Sequence, residues 1–265
     1  MKVFISADIE GVTTTTFWKE THNESPEYKA HAQQMTEEVL AACEGANAAG
    51  ATEIVVRDAH GMANNIDITQ LPANVKMIRG WSRHPYLMVQ GLDASFDAVI
   101  FIGYHSGASK SGNPLSHTES GRPFTVKLNG ELCSEFMLFS YIALLEKVPT
   151  VFLSGDKMLC EDSKHLHPNL VCYPVKEGFG ESTINYNPKI TLKGIKENVE
   201  FALKQNLKDC LGTLPREFEL EVCYKEHANA EKASYFPGVT KINDTTVVFK
   251  TTDYFEVLRT FSFIN

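Results

Sequence analysis

Nowhere do the 265 residues run apolar for the roughly 18 positions a membrane-crossing helix needs, so no membrane span is expected. Basic charge is in the minority, 25 Lys and Arg against 33 Asp and Glu, for a formal net charge of −8. That balance argues against nucleic acid or an anionic membrane surface as a partner. The six cysteines, at 43, 133, 160, 172, 210 and 223, include no C-x-x-C pair and read as reduced thiols. The phosphate-cradling G-x-x-x-x-G-K-[ST], the dinucleotide G-x-G-x-x-G and the serine-hydrolase G-x-S-x-G patterns are all missing. The first residues form a strand pattern with one lysine rather than an export signal, so a cytoplasmic location is expected.

What is present is a pattern repeated at three strand ends. Lys2–Ala7 runs into Asp8-Ile9-Glu10-Gly11, Ile54–Arg57 into Asp58-Ala59-His60, and Ala98–Ile102 into Gly103-Tyr104-His105. Burying one carboxylate costs several kcal/mol or forces it to take up a proton, so a buried pair asks for a cation. Open α/β sheets collect their ligands outside the carboxyl ends of their strands, which is where these residues lie. Carboxylate oxygens and imidazole nitrogens together suit zinc or a similar divalent metal. Asp58 is open to three readings: a metal ligand, a partner that orients His60, or an ion-pair partner of a base such as Arg57.

The first half alternates strand and helix. Ala32, Met35, Val39, Ala42, Cys43 and Ala46 repeat at helical spacing between Ser25-Pro26 and Gly50, and Glu53–Arg57 follows. This is a β-α-β unit and implies a parallel pair. Further strands are expected at Val75–Arg79, Ala98–Ile102, Phe124–Leu128, Val151–Ser154 and Leu170–Val175. A helix is expected over Glu135–Lys147, capped by Ser134, and a short one near Pro85–Gly91. Beyond about Glu177 the composition turns polar. There a helix over Leu192–Gln205, strands at Glu217–Tyr224 and Thr245–Lys250 and a closing helix over Asp253–Phe261 are expected. The expected fold is α/β, a mostly parallel sheet in a three-layer α/β/α core with a smaller C-terminal α+β layer. The expected division is a catalytic domain over 1–177 and a smaller domain over 178–265.

Gly107–Gly121 is a long loop directly after His105, and it carries His117. A histidine there is a candidate general acid or proton shuttle, because its pKa lies near neutrality. Glu135 and Glu131 compete as a further carboxylate ligand, and Glu135 would also suit the first turn of its helix. His165-Leu166-His167 reads as an exposed loop before Pro168, Cys133 as a buried small hydrophobe, and Glu226-His227 as a surface pair.

Taken together, Asp8-x-Glu10-Gly11, Asp58-Ala-His60 with Asn64-Asn65, Gly103-Tyr104-His105 with Ala108-Ser109, Ser116-His117 and a Glu before the central helix carry a resemblance. Along nearly its whole length the chain resembles the zinc-dependent D-aminopeptidases of the DppA type. The resemblance implies two zinc ions per subunit on Asp8, Glu10, His60, His105 and Glu135, with Asp8 shared and His117 as the catalytic histidine. It favours Glu135 over Glu131, because counting back from Val148-Pro149 aligns the helix without a gap. It also implies a ring-shaped homo-oligomer and a small peptide as substrate. The chain departs from the family pattern at Arg57, at Ser106-Gly107 and at Thr13–Thr16, so metal binding is expected to carry over better than substrate choice. The activity implied is hydrolysis of short peptides with N-terminal D-amino acids, of the D-Ala type, by a metal-activated water. The rivals are a di-metal hydrolase for another amide or an L-peptide, and a non-catalytic metal-binding homo-oligomer. The second fits poorly with a carboxylate-rich donor set that contains no cysteine.

Overall fold

The computed structural model describes residues 1–265. The chain runs β1 (Lys2–Ala7), α1 (Tyr28–Ala48), β2 (Glu53–Asp58), β3 (Val75–Ile78), β4 (Ala98–Tyr104), β5 (Pro123–Leu128) and β6 (Glu131–Leu132). It continues through α2 (Glu135–Leu145), β7 (Thr150–Asp156), α3 (Lys157–Ser163), β8 (Val171–Phe179), β9 (Ser182–Asn185) and α4 (Pro188–Lys204). The remainder is β10 (Phe218–Tyr224), α5 (His227–Ser234), β11 (Val239–Lys241), β12 (Thr246–Thr251) and α6 (Tyr254–Ile264).

Seven strands form the main sheet in the order β3-β2-β1-β4-β7-β8-β9, parallel except for the edge strand β9. Alternating side chains divide the core. Val3, Ile5 and Ala7 of β1 pack with Met35 and Val39 of α1 and Ile195 and Val199 of α4, while Phe4 joins Phe101, Phe136 and Phe139 on the opposite face. With α1 and α4 on one face and α2 on the other, the α/β/α layering expected from the sequence is present. Every residue of α2 from Glu135 to Leu144 is buried, because the helix lies between the main sheet and the second layer. That layer is an antiparallel sheet, β11-β12-β10-β5-β6, whose strand β10 alternates buried Phe218, Leu220, Val222 and Tyr224 with half-buried residues. The two sheets do not divide at residue 177: β5 and β6 precede it yet pair in the second sheet, while β9 and α4 follow it yet belong to the main layer.

Glu226-His227 is an exposed pair, as expected, at the start of α5. Two expectations need correction. The short helix near Pro85–Gly91 is a single 3-10 turn at Leu87–Val89. His167 is not in an exposed loop. It is 1% exposed and packs against Phe136 and Tyr141, because the chain after α3 folds back over α2. His165, its neighbour but one, is exposed as expected.

The carboxyl ends of β1 and β4 are knit together, and this positions the site. Asp8 N–H donates to Ile102 O at 2.9 Å and Gly11 N–H to Gly103 O at 2.8 Å. A Cβ on Gly11 would fall 1.8 Å from Tyr104 O, and one on Gly103, at φ 69°, would fall 2.3 Å from Asp8 O. Only glycine allows the two strand ends this close.

Candidate metal centre

Three strand ends, one helix N-terminus and one loop deliver six side chains to one point. Asp8 and Glu10 follow β1, His60 follows β2, His105 follows β4, Glu135 opens α2, and His117 comes from the loop after His105. His60 Nδ1 lies 3.3 Å from Asp8 Oδ1 and 3.1 Å from Glu10 Oε2. His105 Nε2 lies 3.4 Å from Asp8 Oδ2 and 3.2 Å from Glu135 Oε2, and His117 Nε2 lies 3.5 Å from Glu135 Oε1. Two donor sets have atoms close enough to share one ion: Asp8 with Glu10 and His105, and His105 with His117 and Glu135.

The imidazoles are oriented from behind. A carbonyl oxygen can only accept, so His60 donates Nε2–H to Thr21 O at 2.9 Å and turns Nδ1 towards Asp8 and Glu10. His105 donates Nδ1–H to Ser106 O at 2.9 Å and His117 donates Nδ1–H to Leu115 O at 2.9 Å, each leaving Nε2 facing the carboxylates. Backbone carbonyls that fix the tautomer of a histidine in this way are a recurrent outer support of metal ligands. The His105 and His117 rings stack at 4.4 Å and 11°, and Trp18 meets His117 edge-on at 5.4 Å.

Electrostatics indicate that the cluster suits a cation. Glu10 Oε2 and His105 Nε2 are buried with no hydrogen-bond partner. Burial, then Glu10, pushes the Asp8 carboxyl up to about 8. Burial alone would discharge His105, but Glu135 and then Asp8 outweigh it and push it up to about 10. Burial also opposes charge on His60, yet Glu10 and Asp8 hold it well above the usual histidine range. Left to itself the cluster keeps protons, and a divalent cation would displace them. The donor set and the two partnerless atoms fit zinc or a similar ion.

Glu131 does not reach the cluster: it is exposed and lies 3.1 Å from His165 Nε2. Asp58 is also elsewhere, accepting from Asn65 N–H at 2.5 Å, Asn65 Nδ2 at 2.6 Å and Ile66 N–H at 2.9 Å. It shapes the loop that carries His60, since Asn65 Nδ2 also donates to His60 O at 2.7 Å. Cys133 is buried as expected, and burial raises its thiol, so it is no nucleophile.

Sequence reasoning missed three contributors. Lys176, buried on β8, donates Nζ to Glu10 O and to Thr15 O, and burial pushes it down to about 8. Trp81 lines a cavity of 760 Å³ over the cluster, and Arg57 stacks on it at 4.2 Å while donating to Gly80 O at 2.7 Å. Arg57, one of the departures from the family pattern, therefore bears on the cavity wall and not on the cluster. Glu119 also lines the cavity; burial, then Glu135 and Asp8, pushes its carboxyl well above the usual range. A carboxylate two residues after His117 was the available signal, and it was not separable from an ordinary polar loop.

The comparisons agree with the resemblance seen in the sequence. A D-aminopeptidase of Bacillus subtilis (strain 168) is 29% identical over 261 residues, covering 98% of this chain and 94% of that protein. The solved structure of the Zn-dependent D-aminopeptidase DppA from Bacillus subtilis, described as a self-compartmentalizing protease, superposes with a TM-score of 0.93 at 27% identity. The superposition covers 100% of this chain and 96% of that one. The model of peptidase family M55, described as D-aminopeptidase, matches residues 1–263. The chain therefore belongs to the M55 family of D-aminopeptidases.

Proposed function

We propose that this protein is a zinc-dependent aminopeptidase that releases N-terminal D-amino acids, of the D-Ala type, from short peptides. The observation that carries the reading is the pair of donor sets meeting at His105, buried except for His117, with two of their atoms making no hydrogen bond. Asp8, Glu10, His60, His105 and Glu135 would hold two zinc ions, and the two oxygens of Asp8 face His60 and His105 separately. Zinc in such a site supplies Lewis acidity to a scissile carbonyl and acidifies the attacking water.

The chain's own residues do the rest. Glu10 and Glu135 balance the charge of the site: burial works against both, but His60 in the first case and His105 in the second holds them below the usual carboxylate range. His117, with Nδ1–H fixed on Leu115 O, directs Nε2 into the cavity and serves as the proton donor to the departing amine. Trp18 and the stacked His105 ring hold that imidazole in place. No Lys or Arg lines the cavity, so it suits the amino end of a peptide better than the carboxyl end. The solved relative is described as self-compartmentalizing, and a ring-shaped homo-oligomer of this chain would restrict access to short peptides.

Amino-acid release from D-Ala-D-Ala and L-Ala-L-Ala, with a chelator control, tests this. Chelator-sensitive cleavage of the D form alone is expected. Cleavage of the L form, or of neither, overturns the substrate assignment. A second reading, with His117 as a ligand, is favoured by its place in one donor set. Zinc lost on His117→Ala would establish it.

A further inference from the structure

One buried carboxylate oxygen in the cavity is used neither by the proposed metal ligands nor by the fold. Glu119 lines the same cavity as Asp8, Glu10 and Glu135, and its Oε1 is buried with no hydrogen-bond partner. Its backbone sits at φ 64°, in the left-handed region where a side chain is strained. The surroundings enforce that conformation. Fully buried Thr118 donates Oγ1–H to Cys133 O at 2.9 Å and accepts from Ala108 N–H at 3.1 Å. Glu119 N–H donates to Glu135 Oε1 at 2.7 Å, and Ser120 Oγ–H donates to Asn265 Oδ1 at 2.8 Å. An acceptor is thus held in a strained, multiply anchored loop without a donor, and no Lys or Arg in the cavity supplies one.

We infer that Glu119 is a specificity-determining residue that accepts a hydrogen bond from the free α-ammonium group of the bound peptide. The inference rests on the peptidase reading above and goes beyond it in saying how the amino end is recognised. An ammonium group brings three donors and a compact positive charge, both of which an unpaired carboxylate oxygen lacks. N-acylation removes the charge and leaves a single donor. Glu119 would thereby restrict cleavage to the first residue of a peptide, which makes the enzyme an exopeptidase and not an endopeptidase.

The test compares two non-hydrolysable phosphinic analogues of D-Ala-D-Ala, one with its amine free and one acetylated. Their binding to zinc-loaded wild type and Glu119→Gln is followed by titration calorimetry, with zinc content measured in parallel. Loss of a hydrogen bond to the charged ammonium group leads to the expectation that Glu119→Gln weakens the free-amine analogue about tenfold to a hundredfold. The acetylated analogue should bind equally to both proteins, and zinc content should not change. Loss of zinc would make Glu119 a ligand, and an equal loss for both analogues would make it structural; either outcome overturns the inference, as does unchanged binding of the free amine. Should Glu119→Gln fail to fold, Glu119→Asp is expected to weaken the free-amine analogue selectively, and equal binding there also overturns it. Hydrolysis of D-Ala-D-Ala by wild type is scored separately. An inactive wild type that still discriminates through Glu119 would remove the peptidase reading and keep amine recognition. An active wild type whose discrimination survives in the variant would do the reverse.

Discussion

Asp8 and Asp58 stand at the carboxyl ends of neighbouring parallel strands, where Ala7 pairs with Asp58 in register. Both are buried, 2% and 0% exposed, and both follow an apolar run. Asp58 is satisfied by three N–H donors from Asn65 and Ile66, so it closes a loop and needs nothing more. Asp8 instead faces Glu10, His60 and His105, and Glu10 Oε2 and His105 Nε2 beside it lie at ion-pair distance from other members of the cluster without forming a hydrogen bond. Residue type is the same in the two cases, and the two positions differ by one register step, Asp58 closing β2 and Asp8 following β1. What differs is how fully N–H groups satisfy the carboxylate: three reach Asp58, whereas Asp8 accepts one, from Ile9 at 2.9 Å, and otherwise faces titratable side chains, which makes it a candidate ligand.

Buried histidines show the same contrast. His105 is surrounded by carboxylates and pushed up to about 10, whereas His167, among Phe136 and Tyr141 with both ring nitrogens unpartnered, is pushed down by burial to about 4.

The contrast can be broken by substitution. Asp8→Ala is expected to abolish bound zinc and to cost activity well beyond the roughly 10- to 100-fold typical of losing an outer partner of a ligand. Peptide hydrolysis and elemental analysis check it. His117→Ala should keep its zinc and lose about 10²- to 10⁴-fold in kcat, the range of a general acid, read in the same assays.

Asp58→Ala should keep zinc binding but lose about 2–3 kcal/mol of stability, since buried donors are left unsatisfied. Denaturant unfolding measures this, and a variant that lost zinc without losing stability would erase the distinction between the two aspartates. The smallest effect at neutral pH belongs to His167. Its folded pKa, about 4, lies below the unfolded value of 6.5, so the unfolded chain binds the proton more readily between them. Stability is therefore intact above pH 6.5 and falls as the pH drops towards 4, by up to about 3 kcal/mol. His167→Phe should flatten that slope and leave unfolding at pH 8 nearly unchanged.

Much of this was legible in the sequence, for physical reasons. The continuous apolar runs of β1, β2, β4 and β7 can only be buried parallel strands, and their ends carry the ligand-type residues. The polar edge strand β9 and the short helices α3 and α5 went unseen, because none carries a long apolar period. Within the site, Asp8, Glu10, His60, His105, His117 and Glu135 are the residues the sequence and its family resemblance point to, and the structure brings those six together. The role of Asp58 was left open, because hydrogen bonds from Asn65 and Ile66 depend on how a loop closes and not on spacing. Lys176, Trp81 and Glu119 stayed hidden for a similar reason. Each reaches the site through tertiary contacts that no local pattern encodes.

The most direct test of the central claim is zinc content per chain after saturation and exhaustive dialysis, in wild type, Asp8→Ala and Asp58→Ala side by side. Two zinc ions per chain are expected in wild type and in Asp58→Ala, and fewer than one in Asp8→Ala. A wild type that retains no zinc, or an Asp8→Ala protein that retains the full complement, would contradict the account.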